Sequence, residues 1–282
     1  MTFSIAESIF QASQILRTAG VPEPRREASD LLAHVIEKDR TFLISHAEDE
    51  LDPDQLQRFQ GDVERRAGGE PLQYITGKQD FYGREFRITP DVLIPRPETE
   101  LLVETALQLM PDASIFCEVG TGSGCIAITL LCESSSRAVA VDISPAALEV
   151  AKQNASEKNV GDRISFQVSD CFKALDAGLP PFDLIVSNPP YVSADAIDGL
   201  QREVKNHEPM VALTPGPDGL RIIRRLIAEG AAYLRKDGYL LLEIGFDQGE
   251  TVKELVSGPW ELVEIRPDLQ GIPRIVVLKK IR

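Results

Sequence analysis

Apolar residues recur at helical spacing through the first eighty residues, and then the period changes. Ile9, Ala12, Leu16 and Ala19 repeat ahead of Gly20, and Ala28, Leu31, Leu32, Val35 and Ile36 follow. Asp52-Pro53 then opens a third segment carrying Leu56, Phe59 and Val63. This pattern predicts a small helical domain over 1–79. Residues 80–96 alternate instead, through Phe81, Phe86 and Ile88 and then Val92 to Ile94, which predicts a β-hairpin linker. Pro97 suits the first turn of a helix carrying Leu101, Leu102, Thr105, Ala106 and Leu109, with the acids of Glu98 and Glu100 favoured at its N-terminus. From 115 onward, short β-branched runs predict strands at 115–120, 137–142, 164–170, 182–188, 239–245, 261–265 and 274–279. Helical segments between the first five imply a doubly wound α/β domain over 97–282, its sheet mostly parallel and covered on both faces. The last two strands are joined too closely for a helical crossover and should pair antiparallel.

At 282 residues and 43% hydrophobic content, the chain can build one large core and a smaller one. No apolar run approaches the roughly 18 residues of a membrane span, and the first twenty residues lack a basic segment followed by a cleavable apolar stretch. A soluble, cytoplasmic protein is expected. Cys117, Cys125, Cys132 and Cys171 form no CxxC pair, and His34, His46 and His207 are far apart in sequence, so neither a metal site nor a disulfide framework is expected. The net charge is −14, and residues 1–80 carry nine basic against fifteen acidic side chains. That balance works against a nonspecific grip on nucleic acid, which needs Lys and Arg to neutralise phosphates.

Two short stretches carry candidate chemistry. The strand run from Phe182 ends in Asn188-Pro189-Pro190-Tyr191. Proline pushes the residue before it out of the helical region, and two prolines remove two N–H donors, so the corner is rich in acceptors. The Asn188 side-chain oxygen and the Pro189 carbonyl can each accept one hydrogen of a planar NH2 group, with Tyr191 closing an aromatic face over it. An amide or an exocyclic base amine fits that geometry. The second stretch is Glu118-Val119-Gly120-Thr121-Gly122-Ser123-Gly124, between a strand and a helix. Its glycines let backbone approach a ligand closely. Asp142, at the end of the next strand, stands where an acid grips a ribose diol in nucleotide-binding folds. Each stretch alone also reads as an ordinary turn; Glu118, the glycines and Asp142 together point to an adenosyl cofactor.

The combination of Glu118, Gly120, Gly122, Gly124, Asp142, Asp170 and Asn188-Pro189-Pro190-Tyr191 resembles the class I S-adenosylmethionine-dependent methyltransferases, whose seven-stranded sheet has an antiparallel last strand. Ile94 to Leu102 (IPRPETELL), with Phe81-Tyr82-Gly83 before it and Asp218-Gly219-Leu220 after the NPPY corner, is similar to the HemK/PrmC family of release-factor glutamine methyltransferases. The resemblance implies S-adenosyl-L-methionine held by Glu118, Gly120, Thr121, Gly122, Ser123, Gly124 and Asp142, with Asp170 and Cys171 near the adenine. Cys171 replaces an aromatic residue often found there, and Phe172 is adjacent. It implies further that Asn188 touches both cofactor and substrate. Pro189, Pro190 and Tyr191 complete the substrate site, with Asn188, Pro189 and Tyr191 as the catalytic set. The implied partner is a peptide-chain release factor, met by a monomeric enzyme through its helical domain, with the glutamine of a Gly-Gly-Gln loop as target. Ribosomal-protein glutamine and nucleic-acid adenine-N6 methylation are the alternatives that share the corner.

Overall fold

A computed structural model describes residues 3–176 and 180–282. It divides into two compact units, Met1–Lys78 with Gln201–His207, and Gln79–Leu200 with Glu208–Arg282. The first is built from α1 (Ile5–Thr18), α2 (Pro24–Ile36), α3 (Arg40–Ser45), α4 (Pro53–Ala67) and α5 (Leu72–Thr76). Ser4 and Glu7 close a reciprocal capping box at the start of α1, and Asp52 with Gln55 does the same for α4. Ala12, Leu16, Ala28, Leu31, Leu32, Val35, Phe59 and Val63 form one core, as their spacing implies; Ile9 is only half-buried against it.

A short segment from much later in the chain also belongs to this unit. Arg66 is buried and donates to the carboxylates of Glu27 and, at 2.7 Å, Glu203, while Arg202 donates to the Gly68 carbonyl at 2.7 Å. A buried guanidinium is tolerated only when paired, so Arg66 ties in the helix that carries Glu203.

The second unit begins with a hairpin shorter than, and offset from, the one expected over 80–96. Its strands are β1 (Lys78–Phe81) and β2 (Arg84–Arg87), joined by Tyr82 and Gly83 at φ 51° and 68°. Two consecutive positive-φ residues make the tight turn that matches strand twist. Val92 and Ile94 are buried but lie in no strand, because Pro90 and Pro95 deny that stretch ladder donors.

Then come α6 (Glu100–Leu109), β3 (Ile115–Val119), α7 (Cys125–Glu133), β4 (Arg137–Asp142), α8 (Pro145–Glu157), β5 (Ile164–Val168) and β6 (Phe182–Ser187). The remainder is α9 (Arg202–His207), which is the Glu203 helix, α10 (Met210–Leu213), α11 (Arg221–Gly230), β7 (Leu234–Glu243), α12 (Gly249–Leu255), β8 (Trp260–Pro267) and β9 (Pro273–Lys280). The seven-stranded sheet has the order β5-β4-β3-β6-β7-β9-β8, with β9 antiparallel to both neighbours. Among the described residues no helix joins β5 to β6. The chain turns at Cys171, whose φ is 53°, and Phe172 enters the core.

The order reverses between β3 and β6, which is where open α/β sheets form a crevice beyond their strand ends. Glu118 is opposite Val186, so the residues after each strand leave the sheet side by side. The Ser187 hydroxyl donates to the Val119 carbonyl at 2.6 Å and ties the two exits together.

Candidate active site

A cavity of about 230 Å³ opens at this crevice, lined by Gly120 to Ser123, Asp142, Ser169 to Cys171 and Ser187 to Pro190. The two sequence motifs, far apart along the chain, therefore share one wall. Asp91 to Leu93, Arg96, Thr99, Ile143, Pro209, Val211 and Arg221 also line it, and sequence reasoning had assigned none of these to the site.

The glycine loop does two distinct jobs. At Gly120 and Gly122, φ is 76° and 53°, and no atom lies within 4 Å of where a Cβ would stand, so bare backbone faces the cavity. Gly124 instead packs the fold and is absent from the cavity wall. A Cβ there would meet Ile128 Cδ1 at 2.7 Å and Ala151 Cβ at 3.2 Å. Asn154, fully buried on α8, donates to the Ser123 carbonyl at 2.8 Å and to the Arg87 carbonyl at 3.1 Å, which pins the loop from below.

Glu118 also sits behind the wall and not on it. Its Oε2 accepts from the Thr121 hydroxyl at 2.6 Å and the Ala127 amide at 3.1 Å, while Oε1 has no hydrogen-bond partner among the described residues. Full burial pushes this carboxyl up to about 8, against the pull of those two donors. Asp142 takes the Gly122 amide at 2.8 Å and the Ser144 amide at 2.9 Å, so the same carboxylate shapes the loop and faces the cavity. Burial raises its proton affinity in spite of these amides. A carboxylate oxygen has two lone pairs, which leaves capacity for a diol.

Asp170 is held below the usual carboxylate range by its pairs with Lys173 at 2.6 Å and Arg225 at 2.5 Å. Cys171 lines the cavity, its thiol pushed up to about 11 by burial. Phe172 does not. It is buried and stacks on Tyr233 with centroids 4.7 Å apart, so it offers no ring to a ligand; half-exposed Ile143 supplies the apolar surface beside Asp142.

At the opposite motif, the Asn188 Nδ2 donates to the Thr99 hydroxyl oxygen at 3.0 Å. With its NH2 so engaged, Asn188 keeps Oδ1 as an acceptor. Pro189 and Pro190 line the cavity beside it. Tyr191 does not close over them. Its ring packs on the main core, and its hydroxyl turns inward to Glu243 Oε1 at 3.4 Å, because the apolar ring gains more by burial than by capping an open crevice.

The buried carboxyl of Glu118 gives a pH test. Its folded-state value lies above the ordinary one, so its contribution to stability is present at low pH and is lost as pH rises from about 4.5 toward 8. Glu118→Gln cannot ionise, so its melting temperature relative to wild type should move upward between pH 5 and pH 8. Parallel melting curves for the two proteins, showing no change in that difference across the range, would contradict the burial argument.

Comparison with known proteins extends this geometry. Residues 7–77 match the PrmC N-terminal domain, and residues 112–248 match a methyltransferase domain. Among solved structures, a methyltransferase from Pyrococcus furiosus has a TM-score of 0.54 at 16% identity, over 79% of this chain and 99% of that one. A ribosomal protein L11 methylase from Lactobacillus delbrueckii subsp. bulgaricus has a TM-score of 0.52 at 19% identity, over 72% and 90%. These two share the fold. The release factor glutamine methyltransferase of Koribacter versatilis is 43% identical over 280 residues, covering 98% of this chain and 99% of that protein. That of Cereibacter sphaeroides is 43% identical over 96% of each. With similarity of that depth spanning both units, the chain is a methyltransferase that uses S-adenosylmethionine, and it belongs to the release factor glutamine methyltransferase family.

Proposed function

We propose that this chain methylates the side-chain amide nitrogen of the glutamine in the Gly-Gly-Gln loop of peptide-chain release factors. The observation that carries the chemistry is the Asn188 carboxamide, whose NH2 is committed to Thr99 and whose oxygen is left on a cavity wall shared with the glycine loop. Asn188 Oδ1 and the Pro189 carbonyl are the acceptors for the two hydrogens of the substrate amide. Gly120 to Ser123 present backbone to the cofactor, Asp142 accepts from its ribose, and Asp170 and Cys171 flank its base. Glu118 and Gly124 act from behind by holding the loop, and Tyr191 braces the corner through Glu243.

An amide nitrogen is a poor nucleophile because its pair is delocalised into the carbonyl. Two acceptors on its hydrogens raise the electron density on nitrogen and hold it in line, and both bonds strengthen as nitrogen becomes positive. Held by Gly120 to Ser123 and Asp142, S-adenosylmethionine would supply a sulfonium-bound methyl group to the amide nitrogen pair, the C–S pair going to sulfur and the amide proton to bulk water. Pro190 and the buried side chain of Val92 on the cavity wall limit the water around the reacting atoms.

The helical unit is assigned to recognition of the intact partner, supplying binding energy remote from the reacting amide. Its charge, nine basic against fifteen acidic residues over 1–80, favours a protein over a nucleic acid as that partner. The net charge of −14 favours a monomer, and release factors place the work in the cytoplasm. Among the described residues no helix is long and apolar enough to cross a membrane.

The assignment is tested by incubating the full chain with an intact release factor and locating the added methyl group by mass spectrometry. It should sit on the Gly-Gly-Gln glutamine; methylation of adenine in DNA or RNA, with none on the factor, would overturn the assignment. Asp142→Ala should weaken cofactor binding through lost hydrogen bonds worth roughly 0.5–1.5 kcal/mol each, more if charge-assisted. Calorimetry on the folded variant reads this, and unchanged affinity would remove Asp142 from the site. Asn188→Ala should lower single-turnover rate by about 100-fold or more with little change in melting temperature. A near-normal rate at saturating substrates would defeat the acceptor role. Finally, kcat/KM for an intact factor should exceed that for a short Gly-Gly-Gln peptide by about tenfold or more. The whole chain is used because residues 201–207 belong to the helical unit, and removing 1–78 would take Arg66 away from Glu203 within that segment. Equal values for both substrates would deny the partner any remote contact.

A further inference from the structure

Behind Asn188 lies a buried polar chain that no sequence motif marked. Thr99, the fourth residue of the Arg96-Pro97-Glu98-Thr99-Glu100 segment, is 2% exposed, and its hydroxyl oxygen accepts from Asn188 Nδ2 at 3.0 Å. Glu243, at the end of β7, is 1% exposed. Its Oε1 accepts from the Tyr191 hydroxyl at 3.4 Å, its Oε2 has no hydrogen-bond partner among the described residues, and the Thr99 hydroxyl is near enough to the carboxyl to lower its proton affinity. So Glu243 addresses both ends of the acceptor corner, Asn188 through Thr99 and Tyr191 directly.

The direction of these bonds matters. A threonine hydroxyl has one proton to give and two lone pairs to receive. If an ionised Glu243 takes that proton, Thr99 can only accept from Asn188, and the carboxamide must turn NH2 inward and Oδ1 outward. Without that demand the carboxamide can flip and present NH2 to the substrate, which would meet the substrate's own NH2 donor to donor. We propose that Thr99 and Glu243 are positioning residues that fix which face of the Asn188 carboxamide meets the substrate amide. The inference rests on the reading of Asn188 as the substrate's acceptor.

The groups facing Glu243 are the hydroxyls of Thr99 and Tyr191, which lower its proton affinity, Arg274 on β9, which also lowers it, Glu98, which raises it, and the buried thiol of Cys125 at the start of α7. Burial outweighs them and pushes the carboxyl up to about 7. As pH falls through that value Glu243 becomes neutral and can donate its own proton to the Thr99 oxygen, which frees the threonine proton to be given to Asn188 Oδ1. The relay thus specifies the outward oxygen above about pH 7 and loses its direction below it.

The test is single-turnover methylation of an intact release factor by full-length protein, with wild type, Thr99→Val and Thr99→Ser side by side. Thr99→Val keeps the volume and removes the hydroxyl, and should slow the methyl-transfer step by roughly 10- to 100-fold, with KM little changed. Thr99→Ser returns the hydroxyl and should restore most of the rate. A Thr99→Val rate close to wild type, or a Thr99→Ser rate as slow as Thr99→Val, would overturn the proposal, the latter by showing that only packing was lost. A wild-type protein inactive on the factor would overturn the functional reading and this inference with it. Should Thr99→Val fail to fold, the pH profile decides. Wild type should lose rate on the acid side of about pH 7, and Glu243→Gln, which cannot titrate, should lack that limb. The same limb in both proteins would overturn the proposal.

Discussion

The parallel pairing of β3 with β6 is the constraint on which the site depends. Glu118 stands opposite Val186, and the Ser187 hydroxyl closes on the Val119 carbonyl, so the glycine loop and the Asn188 corner leave the sheet as neighbours. Neither motif can do chemistry alone. One offers bare backbone to a cofactor; the other offers acceptors to a nitrogen. A shift of two residues in that register would move the corner by about 7 Å along the strand, beyond the reach of an in-line transfer. Both strands are buried on both faces, and burial is what resists such a shift.

Buried polar groups then sharpen what the sheet brings together. Asn154 holds the loop at Ser123, Glu118 holds it at Thr121 and Ala127, and Asp142 holds it at Gly122. On the other side Thr99 holds Asn188, and Glu243 stands behind Thr99 and Tyr191. Glu118 and Glu243 each leave one carboxylate oxygen without a hydrogen-bond partner among the described residues, and burial pushes both well above the ordinary carboxylate range. Such groups are costly to bury, and they flank the two motifs that carry the chemistry.

Much of this was legible in the amino-acid order because backbone requirements leave strong local marks. The glycines at 120 and 122 need positive φ, Asn188 is followed by two prolines, and parallel strands read as continuous apolar runs. The rest depends on contacts between residues distant in sequence. Thr99 reads as part of a helix start, and only the fold shows its hydroxyl against Asn188, 89 residues away. Glu118 sits in the glycine motif, yet its side chain points behind the loop. Tyr191 beside two prolines suggests an aromatic lid, but the core takes its ring. Val92 and Ile94 carry the apolar alternation past the end of the hairpin because they are apolar for burial and not for pairing. Helix α9 shows no local sign that it belongs with the helical unit; the signal is a buried Arg66 needing a second carboxylate.

The central claim is geometric: the carboxamide oxygen of Asn188 and the carbonyl of Pro189 together receive the two hydrogens of a substrate amide. The most direct measurement is a high-resolution structure of the chain with demethylated cofactor and a release factor bearing its unmodified Gly-Gly-Gln loop. The glutamine nitrogen should lie at hydrogen-bond distance, roughly 2.7–3.2 Å, from both oxygens, with Asn188 Nδ2 still on Thr99. A glutamine nitrogen facing Asn188 Nδ2, or seated away from both oxygens while the cofactor site is filled, would contradict it.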